Sequence, residues 1–338
     1  MRKRLLQFSK IVASVALIYL AFRGIDFSKV IARLSQINIA WIVLAIGVAL
    51  FQLWLGAVRW RIVTLACGTE LPLSRAFRYN FIGAFFNQTL PSAIGGDAMR
   101  VVLLGRSSSD WRVATYSVFL DRAIGLIALA LLVVVSLPLS WRLILSSHGR
   151  YGVIVIGLAS LAAGMGFLLL GQLKWTWLNA WFPIRHLRSC SILANQILVG
   201  PSSFRIGVIS ISIHLLAVAM IWCVAQSITP DPQALKLFTL VPPVMLITML
   251  PISIAGWGLR ETSMMMAFRY AGLPEADGLI ISLLFGAMTF VVGAVGGLVW
   301  ILSSEKSVSS EEAERSEEGL AGDEEASSDA TVEPVGKP

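Results

Sequence analysis

Charged residues are scarce in this sequence of 338 residues: only 14% are Asp, Glu, Lys or Arg, whereas 56% are hydrophobic. Soluble globular domains carry roughly 25% charged residues, so this balance excludes that class. The apolar residues also occur in blocks of about 20, the length that an α-helix needs to cross roughly 30 Å of hydrocarbon. The composition therefore predicts an integral membrane protein.

Cysteine and histidine are also rare, with three residues of each. Cys67, Cys190 and Cys223 are odd in number and irregularly spaced, so they provide neither a disulfide framework nor a metal site. The three histidines are isolated from one another, which gives no basis for a metal cluster or a histidine-based catalyst. We therefore expect no metal and no cofactor.

Catalytic signatures are missing as well. The sequence has no GxSxG nucleophile elbow, no GxxxxGK[ST] phosphate loop and no dinucleotide fingerprint. We expect a protein that is not an enzyme. The excess of basic residues over residues 1–302 is typical of the inner surface of a membrane, so we expect membrane lipids as partners and no nucleic acid.

Six long apolar runs are present and predict six full crossings, near residues 8–22, 40–58, 113–136, 151–171, 206–228 and 279–302. Two further apolar stretches, 76–105 and 237–272, are interrupted by proline and glycine and carry polar residues at their middle. We expect each to form a broken helical hairpin that enters and leaves on one side. The predicted fold is an all-α integral membrane protein with about six full transmembrane helices and two re-entrant hairpins.

The basic residues are distributed unevenly along this arrangement. In residues 1–302, 15 Lys and Arg residues fall on one side of the membrane and six on the other. Because basic residues accumulate in cytoplasmic loops, both termini are predicted to be cytoplasmic. The N-terminal run lacks a small-residue cleavage site, so we interpret it as a retained first helix.

Two segments outside the predicted crossings have distinctive compositions. Residues 303–338 hold 11 acidic and three basic residues, which predicts a disordered acidic tail after a membrane domain of residues 1–302. The tail is either an interaction segment or a solvated extension. The basic stretch 172–205 contains Trp175, Trp177 and Trp181, and is either an interfacial helix or an ordinary loop.

The two broken stretches share a pattern. Residues 90–100 read LPSAIGGDAMR and residues 250–260 read LPISIAGWGLR, so that Leu, Pro, Ile, Gly and Arg coincide without a gap. In the predicted topology one hairpin enters from the cytoplasm and the other from outside. This pattern is typical of an inverted-repeat transporter, whose broken helices meet near the midplane.

Such a segment has a definable chemistry. Proline ends the first half-helix, glycine permits the turn, and the free N–H groups of the second half-helix suit a phosphate or carboxylate. We expect Arg100 in the first turn of that half-helix, with Asp97 as its N-cap. Arg260 repeats the arginine and Glu261 adds an acid. The alternative is that proline and glycine only kink packed helices and that neighbours neutralise Arg260 and Glu261.

Other polar residues complete the candidate site. Asp121 and Arg122 point about 100° apart on one helix, so each is expected to pair with another helix. Arg59 either binds substrate or extends to lipid headgroups. Asn87, together with Asn80, either lines a polar path or hydrogen-bonds neighbouring helices. The full set of predicted substrate-binding residues is Arg59, Asn87, Gly95, Gly96, Asp97, Arg100, Asp121, Arg122, Gly256, Gly258, Arg260 and Glu261.

These motifs resemble those of the lysylphosphatidylglycerol synthase transmembrane-region family, also called the UPF0104 or flippase-like domain family. The resemblance covers roughly residues 5–302. It differs at Asp121, where the family more usually has Glu, and at Ala255 and Trp257 in the second turn. The motifs that carry it are Arg59-Trp60-Arg61, Asn87-x3-Pro91-x3-Gly95-Gly96-x3-Arg100, Asp121-Arg122 and Pro251…Gly256-x-Gly258-x-Arg260-Glu261.

The resemblance implies an all-helical bacterial or archaeal membrane protein related to the lipid-translocating half of the aminoacyl-phosphatidylglycerol synthases. Those synthases add a soluble aminoacyl-transferase domain, whereas only the acidic tail follows residue 302 here. Our first hypothesis is a flippase for an anionic or zwitterionic lipid or a lipid-linked substrate. The alternatives are a membrane transferase with Asp97, Asp121 or Glu261 as its base, and a non-transporting partner of a cell-envelope enzyme.

Overall fold

The computed structural model describes residues 37–90, 94–173, 182–229, 232–249 and 256–303. Over these ranges the chain forms helices only. They are α1 (Ile39–Ala66), α2 (Leu73–Thr89), α3 (Gly95–Ser108), α4 (Trp111–Leu143), α5 (Ser147–Leu170), α6 (Phe182–Val199), α7 (Ser203–Gln226), α8 (Ala234–Thr248), α9 (Leu259–Tyr270) and α10 (Glu275–Leu302).

Five of these helices are long and apolar enough to cross a membrane: α1, α4, α5, α7 and α10. They coincide with five of the six predicted crossings, which confirms the all-α membrane fold. The sixth predicted crossing, near residues 8–22, lies outside the described residues. Large apolar side chains are exposed on the outer faces of these helices, for example Val135 at 72% and Val155 at 65%, as expected where a helix contacts hydrocarbon rather than water.

Both broken stretches form pairs of short helices. At 1.5 Å per residue, the 14 residues of α3 and the 12 residues of α9 extend only about 21 Å and 18 Å, less than the roughly 30 Å of a hydrocarbon core. The first pair contacts α10 through α2 and α4 through α3, and the second contacts α10 through α9 and α4 through α8. The two pairs therefore make corresponding contacts with the same two long helices.

Glycine serves the two breaks in different ways. Gly256 and Gly258, before α9, have φ angles of +80° and +82°, a region that side chains with a Cβ rarely adopt. Gly96, in the first turn of α3, instead permits close packing, since a Cβ there would collide with the carbonyl oxygen of Gly83 and the side chain of Asn87. Pro91 and Pro251 lie outside the described residues.

The stretch 172–205 contains α6, an amphipathic helix that packs on α5 and α7. A helix is therefore present in this stretch, whereas its interfacial position stays a prediction. The three tryptophans that suggested an interfacial position, like the acidic residues 304–338, fall outside the described ranges.

Helices α2 and α10 cross closely because α10 presents three glycines to α2. A Cβ on Gly296 would overlap the carbonyl group of Phe81, and one on Gly297 would lie 2.8 Å from the ring of Phe85. This close crossing fixes α2, and through it the first hairpin, against a full-length helix.

Gly296→Val is expected to lower the free energy of unfolding by about 1–3 kcal/mol, the usual cost of overpacking a close contact. Thermal unfolding of the detergent-solubilised protein measures this effect. Gly166→Val on α5 is the matched control, since nothing lies within 4 Å of an added Cβ there. An equal loss in both variants would attribute the effect to helix propensity instead of the crossing.

Candidate functional site

The start of α3 is held by hydrogen bonding from α2. The backbone N–H of Gly96 donates to Oδ1 of Asn87 at 2.9 Å, so the amide of Asn87 satisfies one of the free donors at this helix end. This contact is the second of the two roles predicted for Asn87, a hydrogen bond to a neighbouring helix. The side chain also lines both cavities described below.

Two positional predictions for α3 are wrong. The N-cap residue is Ile94, not Asp97, which is the third residue of the helix. Arg100 is the sixth residue and therefore lies in the second turn rather than the first. The carboxylate of Asp97 is used for ion pairs instead of capping, because two guanidinium groups lie within reach of it.

Five charged side chains from α1, α3 and α4 form one ion-pair network, in the order Arg59, Asp121, Arg100, Asp97, Arg122. Asp121 accepts from Nε of Arg59 at 2.8 Å and from Arg100 at 2.9 Å. Asp97 accepts from Arg100 at 3.2 Å and from Nε of Arg122. The network confirms that Asp121 and Arg122, adjacent in sequence, pair with other helices.

Four of the five side chains of the network are buried, and Arg122 is the partly exposed one. Arg59 is only 7% exposed and Arg100 6%, so Arg59 does not extend to the surface as the headgroup interpretation required. The guanidinium of Arg100 lies 4.1 Å from the ring centre of Trp60, a cation–π distance. The indole N–H of Trp60 in turn donates to Ser117, and Arg59 also donates to Ser210. These contacts fix both arginines in position.

A second cluster lies at the start of α9. Glu261 is fully buried, and its Oε2 accepts from the backbone N–H of Gly258 at 2.6 Å. Its Oε1 accepts from Arg260 at 2.8 Å and from the hydroxyl of Ser282 on α10 at 3.1 Å. Neighbouring residues therefore do neutralise Arg260 and Glu261, and the glutamate also caps the half-helix.

Aromatic rings enclose the guanidinium of Arg260. Its Cζ lies 5.0 Å from the ring centre of Trp257 and 5.3 Å from that of Phe285. Gly286 completes the enclosure, because a Cβ at that position would overlap the end of the arginine side chain. Arg260 is thus held in a preorganised position at the edge of a cavity.

That cavity has a volume of about 550 Å³ and lies between the two hairpins. Residues of the first hairpin, of α4 and of the second hairpin all line it. Among the predicted site residues these are Asn87, Asp97, Arg122, Gly256 and Arg260. Much of the remaining lining is apolar and comes from Ile94, Val101, Phe119, Leu126, Met249 and Phe285. We call it the larger cavity.

A smaller cavity of about 190 Å³ adjoins the same network. Its charged lining consists of Arg59, Arg100, Asp121 and Arg122. Arg122 and Asn87 line both cavities. Arg100, which the sequence placed at the centre of the site, therefore lines the smaller cavity, and Arg122 is the arginine of the network that lines the larger one.

Several residues of the site were not predicted. Ser282 and Ser210 accept from arginines, and Ser117 accepts from the indole N–H of Trp60. A single serine in an apolar helix carries no pattern that distinguishes it. Trp60 was visible as the centre of Arg59-Trp60-Arg61, although its stacking on Arg100 was not foreseen.

The described ranges contain no group of three or more His, Cys, Asp and Glu side chains that could hold a metal ion. Cys67 and Cys190 have thiol pKa values raised to about 11 by burial, so both remain protonated and weakly nucleophilic at neutral pH. Asp97, Asp121 and Glu261, the three bases considered for a transferase, each accept from an arginine.

Two comparisons with known proteins found similar sequences. A family model described as lysylphosphatidylglycerol synthase TM region matches residues 7–297. A curated relative, a UPF0104 membrane protein of Pyrococcus horikoshii, is 27% identical over 151 residues, which cover 44% of this chain and 43% of the relative. The match thus spans less than half of that relative's length. No solved structure matches significantly.

Proposed function

This chain belongs to the lysylphosphatidylglycerol synthase TM region family, and on that premise we propose that it binds the headgroup of an anionic or zwitterionic lipid, or of a lipid-linked substrate, between its two hairpins and carries it across the membrane. The membrane is a bacterial or archaeal plasma membrane, with both termini cytoplasmic. An interaction of the acidic tail with a cell-envelope enzyme stays a prediction.

The exposure of Arg122 carries the proposal. Its side chain is 39% exposed, whereas those of Arg59 and Arg100 are 9% and 7% exposed. Its Nε binds Asp97, and the rest of its guanidinium fork is available to a ligand in the larger cavity. A guanidinium fork matches the geometry of phosphate or carboxylate oxygens.

Both hairpins support the same ligand. Arg260 lies on the larger cavity, with its orientation set by Glu261 and two aromatic rings. The first turn of α3 and Arg122 line the same cavity. A charged headgroup bound here would meet Arg260 of the second hairpin and Arg122 of α4. Rocking of one structural repeat against the other is the usual route by which inverted-repeat transporters expose a site alternately.

Arg122→Gln is expected to reduce lipid translocation about tenfold or more, because a hydrogen bond to a charged group is worth about 1.5–3 kcal/mol. A leaflet-resolved assay with fluorescent phospholipids in proteoliposomes measures the rate. The fold should survive, since Asp97 keeps its ion pair with Arg100.

Arg142→Gln is the matched control, because Arg142 lies on the same helix, is exposed and lines neither cavity. Equal rates in the two variants would remove Arg122 from the site. If the wild-type protein moved none of the phospholipids in this assay, whatever their headgroup, the proposed function itself would be overturned.

A further inference from the structure

The smaller cavity adjoins the larger one, and the residues between them line both cavities. Arg122 and Asn87 line the two cavities, and Asp97 binds Arg122 at the boundary. At about 190 Å³ the smaller cavity lies below the usual range for whole small molecules, about 300–1,000 Å³. It suits a part of a headgroup.

The walls of the smaller cavity are polar as well as charged. Besides the arginines and Asp121, they include Gln52 on α1 and Asn80 on α2. Polar linings of this kind in a membrane domain mark substrate or ion paths. Asn80 was predicted either to line a polar path or to hydrogen-bond a neighbouring helix, and in the structure it lines this cavity.

The network carries a surplus of positive charge. Its three arginines and two aspartates sum to a formal charge of +1, and the Arg260–Glu261 pair adds none. An enclosed charge without a counterion is costly. A ligand with one negative charge would bring the network and the Arg260–Glu261 pair together to formal neutrality, whereas a dianion would reverse the imbalance.

A second observation also favours an anion beside this network. The Nε of Arg100 is buried and has no hydrogen-bond acceptor among the described residues, although its other two nitrogens bind Asp97 and Asp121. A buried donor without an acceptor costs about 1–3 kcal/mol. This unpaired donor belongs to a residue that lines the smaller cavity.

We propose that the smaller cavity is a second binding site, for the phosphodiester group of a lipid headgroup with one net negative charge, separated from the larger cavity by the Asp97–Arg122 ion pair. This rests on the proposed function and identifies its substrate class. The phosphodiester replaces Asp97 on Arg122, while Asp97 keeps its ion pair with Arg100.

Photolabelling tests the second site independently of transport. The probes are phosphatidylglycerol with a diazirine on its headgroup and, in a separate arm, a polyprenyl-phosphate sugar with a diazirine on the sugar, because both contain a monoanionic phosphodiester. In the wild type we expect labelled peptides from both cavities, around Thr115 and Phe119 for the larger and around Asn80 and Ala84 for the smaller. The probe that labels peptides from both cavities identifies the class of lipid that supplies the phosphodiester.

Gly56→Val fills the smaller cavity, because Gly56 lines it and a Cβ there would lie 3.3 Å from the amide of Asn80. Labelling around Asn80 and Ala84 and the rate of lipid movement should each fall about tenfold, while labelling around Thr115 persists. Gly47→Val on the same helix is the control, since nothing lies within 4 Å of its added Cβ. Asn80→Leu, which removes a polar wall, is a second variant in case Gly56→Val fails to fold.

The outcomes separate the two proposals. Label around Thr115 alone in the wild type, or unchanged transport in both Gly56→Val and Asn80→Leu, would overturn the second site and leave the proposed function intact. Absence of label from both cavities together with absence of transport would overturn both. The charge assignment would be overturned if short-chain phosphatidic acid, which tends toward a dianion, reduced the labelling more than short-chain phosphatidylglycerol does.

Discussion

Asp121→Asn is expected to lower the free energy of unfolding by about 3–5 kcal/mol, the cost of removing one partner from a buried ion pair. Asp121 is 3% exposed and is the acceptor that joins Arg59 to Arg100. Asparagine of the same shape keeps one acceptor oxygen but removes the charge, so the network changes from +1 to +2 in formal charge. Thermal unfolding in detergent, with the monodisperse fraction from size-exclusion chromatography, measures the loss.

Two comparisons make the result specific. Glu275→Gln removes an exposed carboxylate that lies 3.6 Å from Arg269, and such surface pairs contribute about 1 kcal/mol or less. The double variant Arg59→Gln with Asp121→Asn restores the formal charge of the network, so it should be more stable than Asp121→Asn alone. A double variant that is no more stable, or an Asp121→Asn loss no larger than that of Glu275→Gln, would contradict the network as described.

Glu261→Gln is expected to cost about 3 kcal/mol or more for a different reason. The two carboxylate oxygens accept on both sides, Oε2 from the backbone of Gly258 and Oε1 from Arg260 and Ser282. A glutamine must direct its NH₂ group at one of these donors, which leaves a donor facing a donor in a fully buried position. Thermal unfolding measures the loss, and it should coincide with loss of translocation, because either α9 loses its cap or Arg260 loses its acceptor.

Ser282→Ala serves as the comparison for Glu261→Gln. It removes one hydroxyl from the same cluster while Arg260 keeps two bonds to Glu261, so the expected cost is about 1 kcal/mol. If both variants lost the same stability, the charge of Glu261 would not be the property that holds the second cluster together.

Length and hydropathy were sufficient to predict the crossing helices, because hydrocarbon thickness sets the number of apolar residues that a helix needs. The breaks in the two hairpins were also predictable from proline and glycine. The partners within the network were not. Helical periodicity gives the face on which Asp121 lies, but Arg59 is 62 positions away along the chain, and only packing of α1 against α4 brings them together.

Asp97 illustrates a conflict between local and tertiary preferences. An aspartate before an apolar helix is a good N-cap by local rules, and the sequence offered no competing signal. In the folded protein Arg100 and Arg122 both lie within reach of its carboxylate, and charge-assisted bonds to two arginines outweigh one capping bond to a backbone N–H. The helix then begins at Gly95 without a side-chain cap.

The repeated glycines likewise looked equivalent in sequence but differ in function. Gly256 and Gly258 adopt left-handed φ angles, whereas Gly95 and Gly96 are helical and permit close contact with Leu90 and Gly83. The matching letters therefore predicted the position of each break correctly but not its geometry. The aligned arginines differ as well, since Arg260 lines the larger cavity whereas Arg100 lines the smaller one.

The ion-pair network also constrains the order of biosynthesis. Asp97 and Arg100 leave the ribosome with α3, while Asp121 and Arg122 follow only with α4. Until α4 is available, Arg100 has a single carboxylate partner and Arg59 lacks the one it uses in the finished protein. Charged side chains in the bilayer without partners are costly. We therefore expect the first hairpin to settle fully into the bilayer only after α4 has been synthesised.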